Sequence, residues 1–299
     1  MAINLPALLS RNELRNACIE TAKYKNLNSW IVEKDYYLSR LIWAIVEEGG
    51  ENFFLKGGTC LSKCYLDFHR MSEDIDFTIP WDQSFENITS NKIQLEKFAR
   101  ILTKINSSTE FQLLIRKTKF SELQDYGSWT FEYPSIFIAS QYGSIRIETS
   151  LHPVKLPHKK TFAHLLLKGE QFKDYENAFC YSLDYEEIRA EKVRTAFTRR
   201  AIRDYYDLDV LYKNKEDMSS SKFINLVDQK LAEYDEAPGN RPLKEQSRSF
   251  GLSKKEVEEL KDSIIPRLEP MLRTFQPMFD LDKTIANYNV LWGKELELE

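Results

Sequence analysis

Apolar residues recur at three- and four-residue intervals through the first fifty positions, and that spacing predicts helices there. The clearest case is Ile31-Val-Glu-Lys-Asp-Tyr-Tyr-Leu-Ser-Arg-Leu-Ile-Trp-Ala-Ile-Val46, where positions 31, 38, 41, 42 and 45 form an apolar stripe. Gly49-Gly50 then ends the helix. From residue 52 to about 151 the pattern shortens to strand-like runs, at 53–55, 75–79, 111–116, 129–133 and 144–149. A helix at 91–105 lies among them. After Asp184 the helical spacing returns, over 185–213, 220–234 and a third stretch from 253 onward. Residues 237–242, Ala-Pro-Gly-Asn-Arg-Pro, read as the clearest loop of that half. The fold class expected is α+β: a mixed sheet with flanking helices over residues 1–183, then a helical lobe over 184–299. A deep cleft is expected between the two.

Composition narrows the classes. With 42% hydrophobic and 29% charged residues, the chain carries enough apolar material for a packed core and too much for a disordered one. The net charge of −4 leaves any nucleic-acid contact to a local basic patch. The apolar run Leu41-Ile-Trp-Ala-Ile-Val46 is far short of a membrane span, so no membrane role is expected. The first residues, MAINLPALLSRNELRN, do not read as a secretory signal. Cys18, Cys60, Cys64 and Cys180 show neither CxxC pairing nor the density of a disulfide scaffold, which points to a reduced, cytoplasmic setting.

The chemistry is concentrated between residues 54 and 77. A short apolar strand ends in Lys56-Gly57-Gly58, a helix is predicted to begin at Thr59 as its N-cap, and the chain returns as Asp74-Ile-Asp-Phe-Thr-Ile79. Glycines between a strand and a helix start let backbone N–H groups approach a phosphate, whose charge the helix dipole favours. Alternation puts Asp74 and Asp76 on one strand face, their Cα atoms roughly 6.5–7 Å apart, with Ile75 and Phe77 on the other. Two carboxylates aimed into one site repel, and a divalent cation relieves them. Arg70 and Ser72, just upstream, are candidates for phosphate contacts. On residues 144–149 the same alternation pairs Ile145 with Ile147 and Arg146 with Glu148.

This order of features, KGGTxLxK followed by RxSEDIDF, resembles the AbiEii/MenT-type nucleotidyltransferase toxins. The resemblance covers about residues 31–213, and Glu33-Lys-Asp-Tyr-Tyr37 is similar to a phrase the family carries near its N-terminus. It implies that Asp74, Asp76 and Glu148 hold Mg²⁺ or Mn²⁺, with Glu148 standing where the superfamily more often has Asp. It implies that Lys56, Gly57, Gly58 and Thr59 receive the phosphates of a nucleoside triphosphate. The family's K-x₆-R spacing is matched by Lys192 and Arg199, and its RDxxDL segment by Arg203-Asp204-Tyr-Tyr-Asp207-Leu208. Lys192 and one of the acids Asp204 and Asp207 then belong to the catalytic set, with Arg199 on the nucleotide. The implied reaction moves a nucleotidyl group to an RNA acceptor, the 3′ end of tRNA being the candidate, and implies a cognate antitoxin. Two alternatives stay open: a nucleotide-binding regulatory module without transfer, and a protein-modifying, AMPylator-like transferase. Cys60 and Cys64 are expected to be buried thiols, His69 a surface histidine, and residues 155–168 a solvated basic loop.

Overall fold

The computed structural model describes residues 5–80, 88–167, 169, 172–173, 178–214, 217–236, 252–272 and 279–292. Two compact units divide the chain, Met1–Asp184 and Tyr185–Glu299.

The first unit opens with helix α1 (Arg11–Lys25), started by a reciprocal Ser10–Glu13 capping box and stopped at Asn26 in the left-handed conformation. Helix α2 (Ser29–Gly49) ends where Gly50 takes φ +56°, as the Gly-Gly pair predicts. Ile31, Val32, Tyr36, Leu41 and Ile45 are buried along it, and so are Glu33, Asp35 and Arg40. Each buried charge on α2 has partners. Glu33 accepts from Ser135 Oγ (2.5 Å) and Ile136 N (2.6 Å), Asp35 meets Lys63 Nζ (2.5 Å) and Leu166 N (3.0 Å), and Arg40 pairs with Glu110. The Glu33-Lys-Asp-Tyr-Tyr37 phrase therefore works as a set of internal ties from α2 to distant parts of the unit.

The sheet comprises β1 (Phe54–Lys56), β2 (Asp74–Pro80), β3 (Gln112–Leu113), β4 (Lys119–Phe120), β5 (Tyr126–Pro134), β6 (Tyr142–His152), β7 (Lys159–Phe162) and β8 (Phe179–Ser182). Its order is β3-β5-β6-β2-β1-β8-β7, with β4 also on β5; the β2–β6 and β1–β8 pairs are parallel and the rest antiparallel, so the sheet is mixed. One face is apolar: Ile75, Phe77, Ile145, Ile147 and Trp129 are buried, and Phe98 of helix α4 (Ile88–Ser108) packs its ring 5.4 Å from Trp129 and 5.9 Å from Phe77. The other face of β2 and β6 carries the acids.

Four local expectations are corrected. The helical turn α3 (Gly57–Cys60) starts at Gly57 rather than at Thr59, and runs directly into a π-helical turn, Leu61–Tyr65. Thr59 is inside it, and its hydroxyl donates to the carbonyl of Asp74 instead of capping. His69 is buried, not on the surface. Residues 155–168 include strand β7, whose adjacent lysines hide the two-residue period. Residues 111–116 shrink to β3 and a 3-10 turn, Ile115–Lys117.

In the second unit the expected helix over 185–213 is two, α5 (Tyr185–Arg199) and α6 (Ile202–Lys213), because Arg200 takes φ +49° between them. Helices α7 (Ser221–Glu236), α8 (Lys254–Asp262) and α9 (Leu281–Trp292) follow; the expected loop at 237–242 lies outside the described residues. Buried Lys230 on α7 reaches Glu187 (2.6 Å) and Glu191 (3.4 Å) of α5, and Asp209 of α6 accepts from Thr284 of α9 (3.1 Å). Among the described residues no helix is long and apolar enough to cross a membrane.

Candidate active site

The polar face of the sheet is built by register. Lys56 of β1 lies opposite Asp76 of β2, Asp76 beside Glu148 of β6, and Glu148 opposite Ser128 of β5. One residue pair along, Asp74 is beside Arg146. Because side chains of one row on adjacent strands share a face, five charged groups from three strands meet there: Lys56, Asp74, Asp76, Arg146 and Glu148. Arg146 joins two of them, its NH2 2.7 Å from Asp74 Oδ2 and its Nε 3.1 Å from Glu148 Oε1. The Asp74 carboxylate holds the guanidinium proton more firmly than usual. Lys56 Nζ donates to Ser150 Oγ at 2.7 Å. Burial and the nearby Glu148 charge push the Tyr126 hydroxyl up to about 12.

The glycine turn is fitted to this face. Gly57 has φ +71°, and a Cβ there would lie 2.2 Å from Asp76 Oδ2. A Cβ on Gly58 would lie 2.5 Å from NH2 of Arg70, which is itself buried. Gly57, in the left-handed region, and Gly58 thus let the side chains of Asp76 and Arg70 approach the turn closely. Thr59, fully buried, ties the turn to the backbone of Asp74. Ser72 stands half-buried two residues before Asp74.

The carboxylates supply hard oxygen donors suited to Mg²⁺ or Mn²⁺, and the Gly57 cradle keeps Asp76 clear of side-chain crowding. The donor set fits such an ion in its chemistry, three carboxylates on one sheet face. Among the described residues no three acidic, His or Cys groups are gathered to hold one, and Arg146 occupies Asp74 and Glu148.

A second polar cluster belongs to the second unit. Lys192 Nζ on α5 sits 2.7 Å from Asp207 Oδ2 and 3.4 Å from Asp204 Oδ1, both on α6. Arg199, at the end of α5, reaches the same Asp204 oxygen at 3.2 Å with most of its side chain in solvent. Lys192, Asp204 and Asp207 are buried. The seven-residue spacing of the two cations and the three-residue spacing of the acids are what let all four meet. Among the described residues Asp204 Oδ2 has no hydrogen-bond partner.

Arg146 and the hydroxyls of Tyr126, Ser128 and Ser150 were not singled out by the sequence reading. The signal for Arg146 was present, an opposite charge two residues from Glu148 on one strand face; the hydroxyls carry no signal without the β5–β6 register.

A mixed sheet carrying a strand-Gly-Gly-helix turn beside an acidic strand defines a nucleotidyltransferase-type protein. MenT4, a nucleotidyltransferase toxin from Mycobacterium tuberculosis H37Rv, has this fold: it aligns over 95% of this chain and 89% of its own with a TM-score of 0.56 and 16% identity. An antigenic nucleotidyltransferase-like protein from Paracoccidioides brasiliensis aligns over 79% of this chain and 88% of its own at 14% identity, with a TM-score of 0.33. No curated protein matches the sequence significantly. The sequence model of the nucleotidyl transferase AbiEii toxin family of type IV toxin–antitoxin systems matches residues 40–285, and the chain belongs to that family. It is a nucleotidyltransferase of the toxin class, a membership that implies a nucleoside triphosphate substrate and an antitoxin.

Proposed function

We propose that the protein transfers a nucleotidyl group from a nucleoside triphosphate to an RNA acceptor, with the 3′ end of tRNA as the candidate, and so blocks translation and growth in the cytoplasm until its antitoxin counters it. The observation that carries this reading is the Lys56–Asp76–Glu148 row set against the Gly57–Gly58 turn. Asp74, Asp76 and Glu148 would hold Mg²⁺ or Mn²⁺, which when bound neutralises the triphosphate and acidifies an acceptor hydroxyl. The N–H groups of Gly57, Gly58 and Thr59 and the cations Lys56 and Arg70 receive phosphate oxygens, with Ser72 at the edge. Thr59 has a second part, since its hydroxyl is committed to Asp74 and sets the turn on β2.

Lys192 and Arg199 are assigned to the charge that develops on the departing pyrophosphate. Asp207 and Asp204 hold Lys192 in place through their ion pairs. Of the two, Asp204 has the uncommitted oxygen, which makes it the better candidate to accept the proton of an attacking hydroxyl.

The test is label transfer. Purified protein is incubated with each α-³²P nucleoside triphosphate, Mg²⁺ and total cellular RNA, beside an Asp76→Ala control. Labelled RNA that disappears with the substitution is the expected result. Labelled protein instead of RNA moves the acceptor to a Tyr, Ser or Thr hydroxyl; nucleotide binding with no label at all would leave a binding module.

A further inference from the structure

Arg146 spans the two acids that flank Asp76, and it does so from a half-exposed position. Its side chain is 51% accessible, whereas Asp74 and Glu148 are 28% and 27% accessible. A cation approaching those carboxylates from solvent therefore meets a guanidinium already bonded to both. Their geometry is shared between two parallel strands, with Asp74 directly beside Arg146 and Glu148 two residues further along β6. A free divalent cation must compete with the guanidinium for both carboxylates and sets a second positive charge beside it. A metal that arrives bound to a triphosphate brings phosphate oxygens with it, and a planar, five-donor guanidinium can exchange carboxylate for phosphate with little loss.

We propose that Arg146 is a positioning residue that keeps the acids closed to free metal and admits the metal–triphosphate complex, passing from Asp74 and Glu148 to a phosphate as that complex binds. The inference rests on the metal-binding reading of Asp74, Asp76 and Glu148 given above. It assigns Arg146 opposite effects on two ligands: it weakens binding of the bare cation and strengthens binding of the cation–triphosphate complex. By linkage, metal and triphosphate then favour one another's binding. Lys56, the other cation on this face, donates to Ser150 Oγ at 2.7 Å.

Binding of Mn²⁺ alone, followed by electron paramagnetic resonance, and of the Mn²⁺–tripolyphosphate complex, followed by calorimetry, is measured for wild type, Arg146→Gln and Arg146→Lys. Thermal melting checks that each variant is folded. Arg146→Gln should bind Mn²⁺ alone roughly 5- to 10-fold more tightly than wild type, the scale of a partly screened charge contact, and bind Mn²⁺–tripolyphosphate several-fold more weakly. Arg146→Lys, with its charge but without the bidentate fork, should fall between. If Arg146→Gln binds bare Mn²⁺ no more tightly than wild type, or both ligands shift in the same direction, the role of Arg146 is overturned. Asp76→Ala in each background separates this from failure of the reading beneath it. Loss of Mn²⁺ binding supports the site, and Mn²⁺ binding that survives Asp76→Ala removes both the metal site and the inference.

Discussion

At the scale of single residues, the proposed site depends on two absent side chains as much as on the acids. The Cβ of a Gly57→Ala variant would lie 2.2 Å from Asp76 Oδ2 at a backbone φ of +71°, so it must displace the acid or the turn. The expected result is a stability loss of about 1–3 kcal/mol with transfer reduced roughly 100-fold or more, read by thermal melting and label transfer on one preparation. Asp207 offers a different separation. Asp207→Asn strips a buried ammonium of its nearest counter-charge and should cost about 3–5 kcal/mol. Adding Lys192→Met should restore most of that stability and none of the activity; recovery of both would assign the pair a purely structural part. These residues were legible as types and spacings, because DxD, K-x₆-R and RDxxDL each place like groups on one face. Arg146 was legible only as a neighbour of Glu148. What it bridges depends on β2 pairing with β6 across some seventy residues of chain, which no local pattern encodes.

Elements set those residues in place, and their ties to one another are long-range. The clasp between Asp35 of α2 and Lys63 of the π-helical turn fixes the segment that follows Gly57–Gly58, with Leu166 N on the second carboxylate oxygen. Lys63→Met leaves that carboxylate buried and half-paired. A loss of about 3–5 kcal/mol is expected in denaturant melts, and replacing Asp35 with Leu as well should recover much of it. Glu33 on the same helix has its carboxyl pushed above the usual 4.5, chiefly by burial, against the hydrogen bonds from Ser135 and Ile136. The folded state thus holds this proton more tightly than the unfolded chain. Its contribution is fully present below pH 4.5 and lost as pH rises through the folded value. Stability measured from pH 4.5 to 7 should fall less steeply in Glu33→Gln than in wild type; an equal slope would contradict the assignment. The apolar stripe of α2, a helix buried nearly all round, and the single apolar faces of β2 and β6 could be read from period alone. β7 and β8 could not: each is four residues long, Lys159-Lys160 breaks alternation, and β8 earns its place by parallel pairing to distant β1. The break between α5 and α6 was invisible for another reason, since one residue, Arg200, changes its backbone angle while the composition stays helical.

For the molecule as a whole, family membership gives the class of reaction, and the residues proposed to act in it come from both units of the chain. Asp76 lies in the first and Lys192 in the second. If both serve one chemical step, their effects should not add: the Asp76→Ala, Lys192→Ala double variant should transfer no more slowly than the worse single variant, whereas independent contributions would multiply. With a net charge of −4, overall attraction for RNA is absent, so acceptor affinity should depend on salt with a shallow slope set by a few local contacts. On the proposed reading, this face of the sheet carries out nucleotidyl transfer through Asp76. The measurement that reaches it most directly is pyrophosphate release, counted against nucleotide incorporated into RNA, for wild type and Asp76→Asn. Wild type should release one pyrophosphate per nucleotide transferred, and Asp76→Asn, with an unchanged melting profile, should release none. A folded Asp76→Asn protein that still releases pyrophosphate in step with labelling would contradict the account.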